Sequence, residues 1–336
     1  FFSNNLTETT TTQARHNYTN TIVGDRIIKI KFSKPDKILV IKTQYVNLYA
    51  EFPSEISNLV NINEISINQS SLNKIPVSMA SLPTLRKLLL SAIGTAIINR
   101  IPDEFLALKL ESFIFSSSID LADLNSSNII KFLSSGNALT LKVLKMDNCL
   151  MSIMPDEITN LSVIEELSIG SGNLFQIMPE KLNSLVTLKK LNVGADATFA
   201  PNIRYWSSVS ELINLTHLFF SFAVNIETTL PPDLENCREL KNIACQNSFT
   251  TTERIDEFIT KLYNFIERNA SITGLNTLPF RGMTINCISS TGNPPTGTFQ
   301  SPTGYVAGSN NGTPKSPKEM LWVLINQYGH TITYTA

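Results

Sequence analysis

Apolar residues recur along this chain in a fixed short pattern: an apolar residue, two variable ones, an apolar, one variable, an apolar. It reads Ile62, Ile65 and Ile67, then Leu85, Leu88 and Leu90, then Leu110, Phe113 and Phe115. It returns at Leu141, Leu144 and Met146, at Ile164, Leu167 and Ile169, and at Leu188, Leu191 and Val193. Leu215, Leu218 and Phe220 follow, then Leu240, Ile243 and Cys245, while a looser first copy is Ile38, Ile41 and Thr43. The mean spacing is about 25 residues. Alternation with period two predicts a short strand in each copy, its apolar residues facing a core and those between facing out. The outward residues are then Glu64, Ser66, Lys87, Leu89, Ser112, Ile114, Val143, Lys145, Glu166, Ser168, Lys190, Asn192, His217, Phe219, Asn242 and Ala244.

A second motif keeps phase with the first: Pro, two variable residues, an apolar, two more, then usually Leu. Copies begin at Pro53, Pro76, Pro102, Pro155 and Pro179. Proline loses no hydrogen bond at a first helical position, and acids just after it, as in Asp103-Glu104 and Asp156-Glu157, favour a helix N-terminus. Each Pro is therefore expected to open a short helix or 3₁₀ turn ahead of the next strand.

Two motifs in phase over about nine copies resemble the leucine-rich repeat family, across about residues 38–250. The resemblance implies an α/β solenoid, a horseshoe with a parallel concave β-sheet and short convex helices or 3₁₀ turns. One such repeat cannot bury its apolar face alone, so stacking and end caps are required. The family usually carries Asn or Cys after the third apolar residue. Cys149 fits that position and Asn173 fits it with a one-residue shift, whereas other copies carry Ser or Gly. The 31-residue step from Leu110 to Leu141 implies an insertion near 117–137, and the 27-residue step from Leu188 to Leu215 another around 199–208.

The last 86 residues, 251–336, read as a C-terminal cap. Ile255, Phe258, Ile259, Leu262, Phe265 and Ile266 have helical spacing, with Thr251 or Thr252 as cap. Met283, Ile285 and Cys287 alternate like a strand. Residues 289–314 form a Gly/Pro-rich loop in which Phe299, Tyr305 and Val306 are potential anchors. Ser316-Pro317-Lys318-Glu319 is a capping box, Gly329 suits the helix C-cap, and His330 to Thr335 suits a closing strand. Trp322 is read as core. The stretch 282–297 with the helix and strand after it loosely resembles closing segments of fibre and surface proteins of Bacteroidetes bacteria and their phages. That resemblance implies a virion or cell-surface setting and no chemistry. The organisation expected is a polar arm at 1–22, a solenoid of about nine repeats at 23–250, and the cap at 251–336.

Composition narrows the function. Charged residues are 16% of the 336 and the formal net charge is −1, which speaks against a basic-patch nucleic-acid binder. Hydrophobic residues at 42% exclude a disordered chain. No apolar run reaches transmembrane length. With no basic n-region or apolar h-region ahead of it, Phe1 reads as the start of a processed chain or of its ordered part. Cys149, Cys237, Cys245 and Cys287 form no CxxC pair and read as buried free thiols. No nucleophile elbow, HExxH or phosphate loop is present. The Gly170-Ser-Gly172 run reads as a tight repeat turn. No enzyme activity, cofactor or metal is expected.

The concave face is the candidate site: Glu64, Lys87, Leu89, Ile114, Lys145, Glu166, Lys190, Asn192, His217 and Phe219. Leu89, Ile114 and Phe219 are apolar where solvent-facing groups are usual, which suggests a partner surface. Tyr205 and Trp206 lie in the second insertion, as contact residues or as cover for the core. Tyr305 is a loop anchor or a contact. The expected role is non-enzymatic attachment to a protein or glycan on a cell surface, displayed on a phage virion or similar surface. The alternatives are an interaction subunit of the bacterial envelope and a virion spike or capsid component, either of which could tie into neighbours through residues 1–22.

Overall fold

The structure is a computed structural model. It describes residues 38–44, 54–68, 74–91, 98, 100–117, 120–170, 172–173, 179–194, 209, 211–221, 229–231, 234–273, 281–290, 292–307, 309 and 311–336. The arm 1–22, the second insertion at 199–208 and with it Tyr205 and Trp206 lie outside the described residues.

Among the described residues eleven strands form one open sheet in chain order, every neighbouring pair parallel. They are β1 (Val40–Gln44), β2 (Glu64–Asn68), β3 (Lys87–Ser91), β4 (Ser112–Ile114), β5 (Val143–Lys145) and β6 (Glu166–Ser168). β7 (Lys190–Asn192), β8 (His217–Phe219), β9 (Asn242–Ala244), β10 (Thr284–Asn286) and β11 (Thr331–Thr333) continue it. The nine copies of the apolar motif supply β1 to β9 in register, and the alternating stretch at Met283 supplies β10. This is a leucine-rich repeat solenoid.

The inward side chains form one continuous core. In eight copies, from Ile62 to Cys245, all three apolar residues of the motif are fully buried. Above the sheet lie 3₁₀ helices at Ser54–Asn58, Val77–Ser81, Asp103–Ala107, Asp156–Asn160 and Glu180–Ser184. Each buries its central apolar residue onto the strands, as Met79, Phe105 and Ile158 show. Proline stands one place earlier than expected. Pro76, Pro102, Pro155 and Pro179 are caps in extended backbone, and their carbonyls accept the first turn's hydrogen bond, for example from Phe105 N–H at 3.1 Å. The ring thus fixes φ just before the turn without removing a donor from it.

The step between β4 and β5 holds a real insertion. It contains α1 (Ile129–Leu133), whose Phe132 packs on Phe113 with ring centroids 5.1 Å apart. Asn173 is the buried rung of the repeat. Its Oδ1 accepts from Cys149 and Met151 N–H at 3.1 and 3.2 Å, and its Nδ2 donates to the carbonyls of Met146, Ile169 and Gly170. Gly170 is required beside it, because a Cβ there would run into the Gly194 carbonyl of the next repeat.

Helix α2 (Thr252–Thr273) begins after Thr251, whose Oγ1 accepts from Arg254 N–H at 3.4 Å. Its six apolar residues at helical spacing are all buried. It packs against α3 (Pro317–Asn326). The capping box forms: Ser316 Oγ accepts from Glu319 N–H at 3.3 Å. The Glu319 carboxylate reaches Lys315 N–H at 2.6 Å. Gly329, at φ +70°, lies two residues beyond the C-cap Gln327, so it turns the chain towards β11 and is not the cap itself. Trp322 packs on the core only half-buried. All four cysteines are buried free thiols. Burial pushes the Cys237 and Cys287 thiols up to about 12.

Candidate functional site

Parallel pairing in constant register lines up the outward residues of successive strands. One row runs Glu64, Lys87, Ser112, Val143, Glu166, Lys190, His217 and Asn242. The next runs Ser66, Leu89, Ile114, Lys145, Ser168, Asn192, Phe219 and Ala244. Strands β10 and β11 extend both rows with Thr284 and Thr331, and with Asn286 and Thr333. Neighbouring rungs are roughly 4.8 Å apart.

The sequence-predicted residues fall into four places on this face. At one end Glu64 accepts an ion pair from Lys42 at 2.7 Å. Next, Lys87 stands exposed beside Leu89, and Leu89 is in register with Ile114 to make a small half-buried apolar patch. In the middle, Glu166 sits between Lys145 at 2.6 Å and Lys190 at 3.7 Å. Asn192 Nδ2 donates to Ser168 Oγ at 2.9 Å, and Asn192 Oδ1 accepts from Gly194 N–H. Beyond them, His217 and Phe219 lie with ring centroids 5.8 Å apart, tilted 45°. Glu64 and His217 are six strands apart, roughly 29 Å, so one small ligand does not span the set.

Tyr305 stands away from the face. Its hydroxyl donates to Glu267 Oε2 at 3.1 Å, and Tyr328 donates to the same oxygen. It is therefore the anchor of the 289–314 loop. Burial raises the Tyr305 and Tyr328 hydroxyls well above the usual phenol range. The side chains of Phe299 and Val306 are exposed. The loop is held as well by Thr296, whose N–H and Oγ1 both donate to Asp256 at 2.9 and 2.7 Å.

Two features of the face were missed. Asp147 lies two residues beyond Lys145, where the outward alternation continues past the expected end of the strand. It accepts from Ser168 Oγ at 2.7 and 2.8 Å and from Ser116 Oγ at 3.4 Å. Burial raises its carboxyl above the usual range, against the pull of those donors and of Lys145. The outward threonines of β10 and β11 were also legible in principle, since Thr284 alternates with Met283 and Ile285.

Electrostatics separates the two ends. Burial and the neighbouring Lys190 ammonium, with Lys241 adding to them, lower His217 below its ordinary value, while Glu166 opposes the shift. Neutral imidazole is therefore its resting form at pH 7. Among the described residues no group of three His, Cys, Asp or Glu is placed to hold a metal ion, and no helix is long and apolar enough to cross a membrane.

No protein-family model matches the chain, and no curated protein sequence does. Solved structures are similar to it at low identity. A leucine-rich repeat protein of Leptospira interrogans is 20% identical over 64% of this chain and 50% of its own, with a TM-score of 0.47. This chain thus spans about half the length of that protein. Internalin C2 of Listeria monocytogenes is 16% identical over 63% of this chain and 83% of its own, with a TM-score of 0.48. The ectodomain of a membrane receptor kinase of Arabidopsis thaliana, solved with CASPARIAN STRIP INTEGRITY FACTOR 2, is 18% identical over 62% of this chain and 30% of its own, with a TM-score of 0.42.

Proposed function

We propose that this chain is a non-enzymatic recognition protein that binds a macromolecule on a cell surface through the outward face of its sheet. One observation carries the reading. The outward rows hold Leu89, Ile114 and Phe219 half-exposed among amides, hydroxyls and charges, on a backbone that the core keeps in fixed register. A rigid face mixing apolar and polar groups suits multi-point contact without covalent chemistry. The setting we propose is extracellular display on a phage virion or similar surface. The low charge and the resemblance of residues 282–297 to fibre and surface proteins support it.

A second reading, a virion or envelope subunit packed against other subunits, is favoured by the flank where 3₁₀ helices meet strands. There Val60, Leu139, Val186 and Ile213 are exposed. The test is binding of the purified chain to intact cells of the source culture, comparing Phe219→Ala and Lys145→Glu with Ile213→Ser. Binding reduced about tenfold or more by the face variants and kept by the flank variant is the expected result, since interface anchors carry most of the energy. Binding lost only in Ile213→Ser would move the contact to the flank.

A further inference from the structure

Outward carboxylates are confined to one part of the face. Strands β2 and β6 carry Glu64 and Glu166, and Asp147 follows β5. From β7 to β11 the outward positions of the strands hold none. Cations remain there. Lys190 is only the weaker partner of Glu166, at 3.7 Å against 2.6 Å for Lys145. Lys241 is exposed and makes no ion pair among the described residues. His217 lies between them on β8. Past it the row continues as Asn242, Thr284 and Thr331, whose side chains make no hydrogen bond among the described residues. Phe219 presents its ring next to His217.

We propose that the β7–β11 half of the outward face is a subsite for an acidic polysaccharide, whose carboxylates dock on Lys190 and Lys241 while a sugar ring lies on Phe219. The inference rests on the reading of this face as the binding surface. Spacing and the aromatic ring favour a sugar polymer. Lys190 stands in the outward row and Lys241 one residue ahead of that row, just before β9, two strands or roughly 9.6 Å away across the sheet. An extended uronic-acid chain with two-fold character turns a carboxylate to the same side every second sugar, a repeat of the same order. An extended acidic peptide turns a side chain to the same side every second residue, roughly 6.7 Å, and matches that interval less closely. Sugar hydroxyls would find donors and acceptors in Asn242, Thr284 and Thr331, and the apolar face of a pyranose suits an aromatic ring.

Protonation follows from the same geometry. The groups facing His217 are Lys190 on β7, Glu166 on β6 and Lys241 beside β9. A carboxylate bound between the two lysines offsets their effect, so His217 takes up a proton on binding. Affinity then rises as pH falls, by about tenfold for each unit by which the bound polymer raises the imidazole.

The experiment is calorimetric titration of the full chain with oligogalacturonate at pH 7.5 and pH 5.5, with neutral oligogalactan and oligoglutamate as comparison probes. Expected are binding of oligogalacturonate alone, tightening at pH 5.5, a flat pH response in His217→Gln, a loss of about tenfold in Lys241→Gln, and unchanged binding in Lys181→Gln on the far side of the repeat. Circular dichroism of each variant separates misfolding from lost contact. Failure to bind oligogalacturonate at either pH, or equal binding of oligoglutamate, overturns the proposal. If Phe219→Ala still weakens cell binding in that case, the reading of the face stands and only the polysaccharide falls.

Discussion

At the scale of single residues, the fold depends on a few buried polar groups that no propensity would favour. Asn173 is the clearest. Its side chain satisfies two backbone donors and three backbone acceptors inside the turn after β6. Truncation leaves these groups buried and unpaired, each costing roughly 1–3 kcal/mol. Asn173→Ala should therefore lower stability by about 2–4 kcal/mol in urea denaturation, and a loss under about 0.5 kcal/mol would show that water replaces the side chain. The position was legible as an asparagine rung displaced by one residue, because a turn's hydrogen bonds demand a particular side chain. Asp147 was not legible as part of the face. Nothing in the strand motif extends past Met146, and its donor partners come from the repeats on either side, Ser116 from one and Ser168 and the Gly170 backbone from the other. Tyr305 could be read two ways because its partner Glu267 is 38 residues distant in the chain.

At the scale of elements, the sequence motifs and the structure agree in kind and differ by a residue. Proline punctuates four of the repeats from the cap position, at Pro76, Pro102, Pro155 and Pro179, while Ser135 caps the turn ahead of β5. The capping box of α3 was readable because its bonds are local. The route of the loop before α3 was not, since Thr296 is fixed by Asp256, 40 residues away. The closing strand has its own weak point. His330 is buried, its Nδ1 accepts from Met283 N–H at 3.0 Å, and its Nε2 has no partner among the described residues. The ring must be neutral, because a second proton would face the Met283 donor. Burial, with Arg281 adding to it, pulls His330 down to about 4. Above about pH 6.5 the ring is neutral in folded and unfolded chains alike. Below that the unfolded chain takes up a proton first, so stability falls with pH and levels off near pH 4. The loss is about 3 kcal/mol for a shift of this size. Urea midpoints between pH 7 and 4 should show it, and His330→Gln should flatten the slope. A variant with the same slope as the native chain would place the acid sensitivity elsewhere.

At the scale of the whole sheet, repetition made the architecture readable and the ligand unreadable for the same reason. Inward positions obey one rule, an apolar residue that fills a rung, so nine copies reinforce each other. Outward positions obey no packing rule. They are free to differ between repeats, and one sequence does not show which differences serve a ligand. The register supplies what the pattern could not: Lys145, Glu166 and Lys190 form one ionic cluster, and beyond it Lys241 makes no ion pair among the described residues. Contact is therefore expected through the outward rows and the lysine at their edge. Lysine-reactive labelling with and without bound cells, read by peptide mass spectrometry, tests this most directly. The account predicts that Lys145, Lys190 and Lys241 lose reactivity at least about threefold on binding while Lys109 and Lys181, on the 3₁₀-helix side, keep theirs, since buried contacts exclude solvent and reagent. Protection of Lys109 and Lys181 with Lys145, Lys190 and Lys241 unchanged would contradict it.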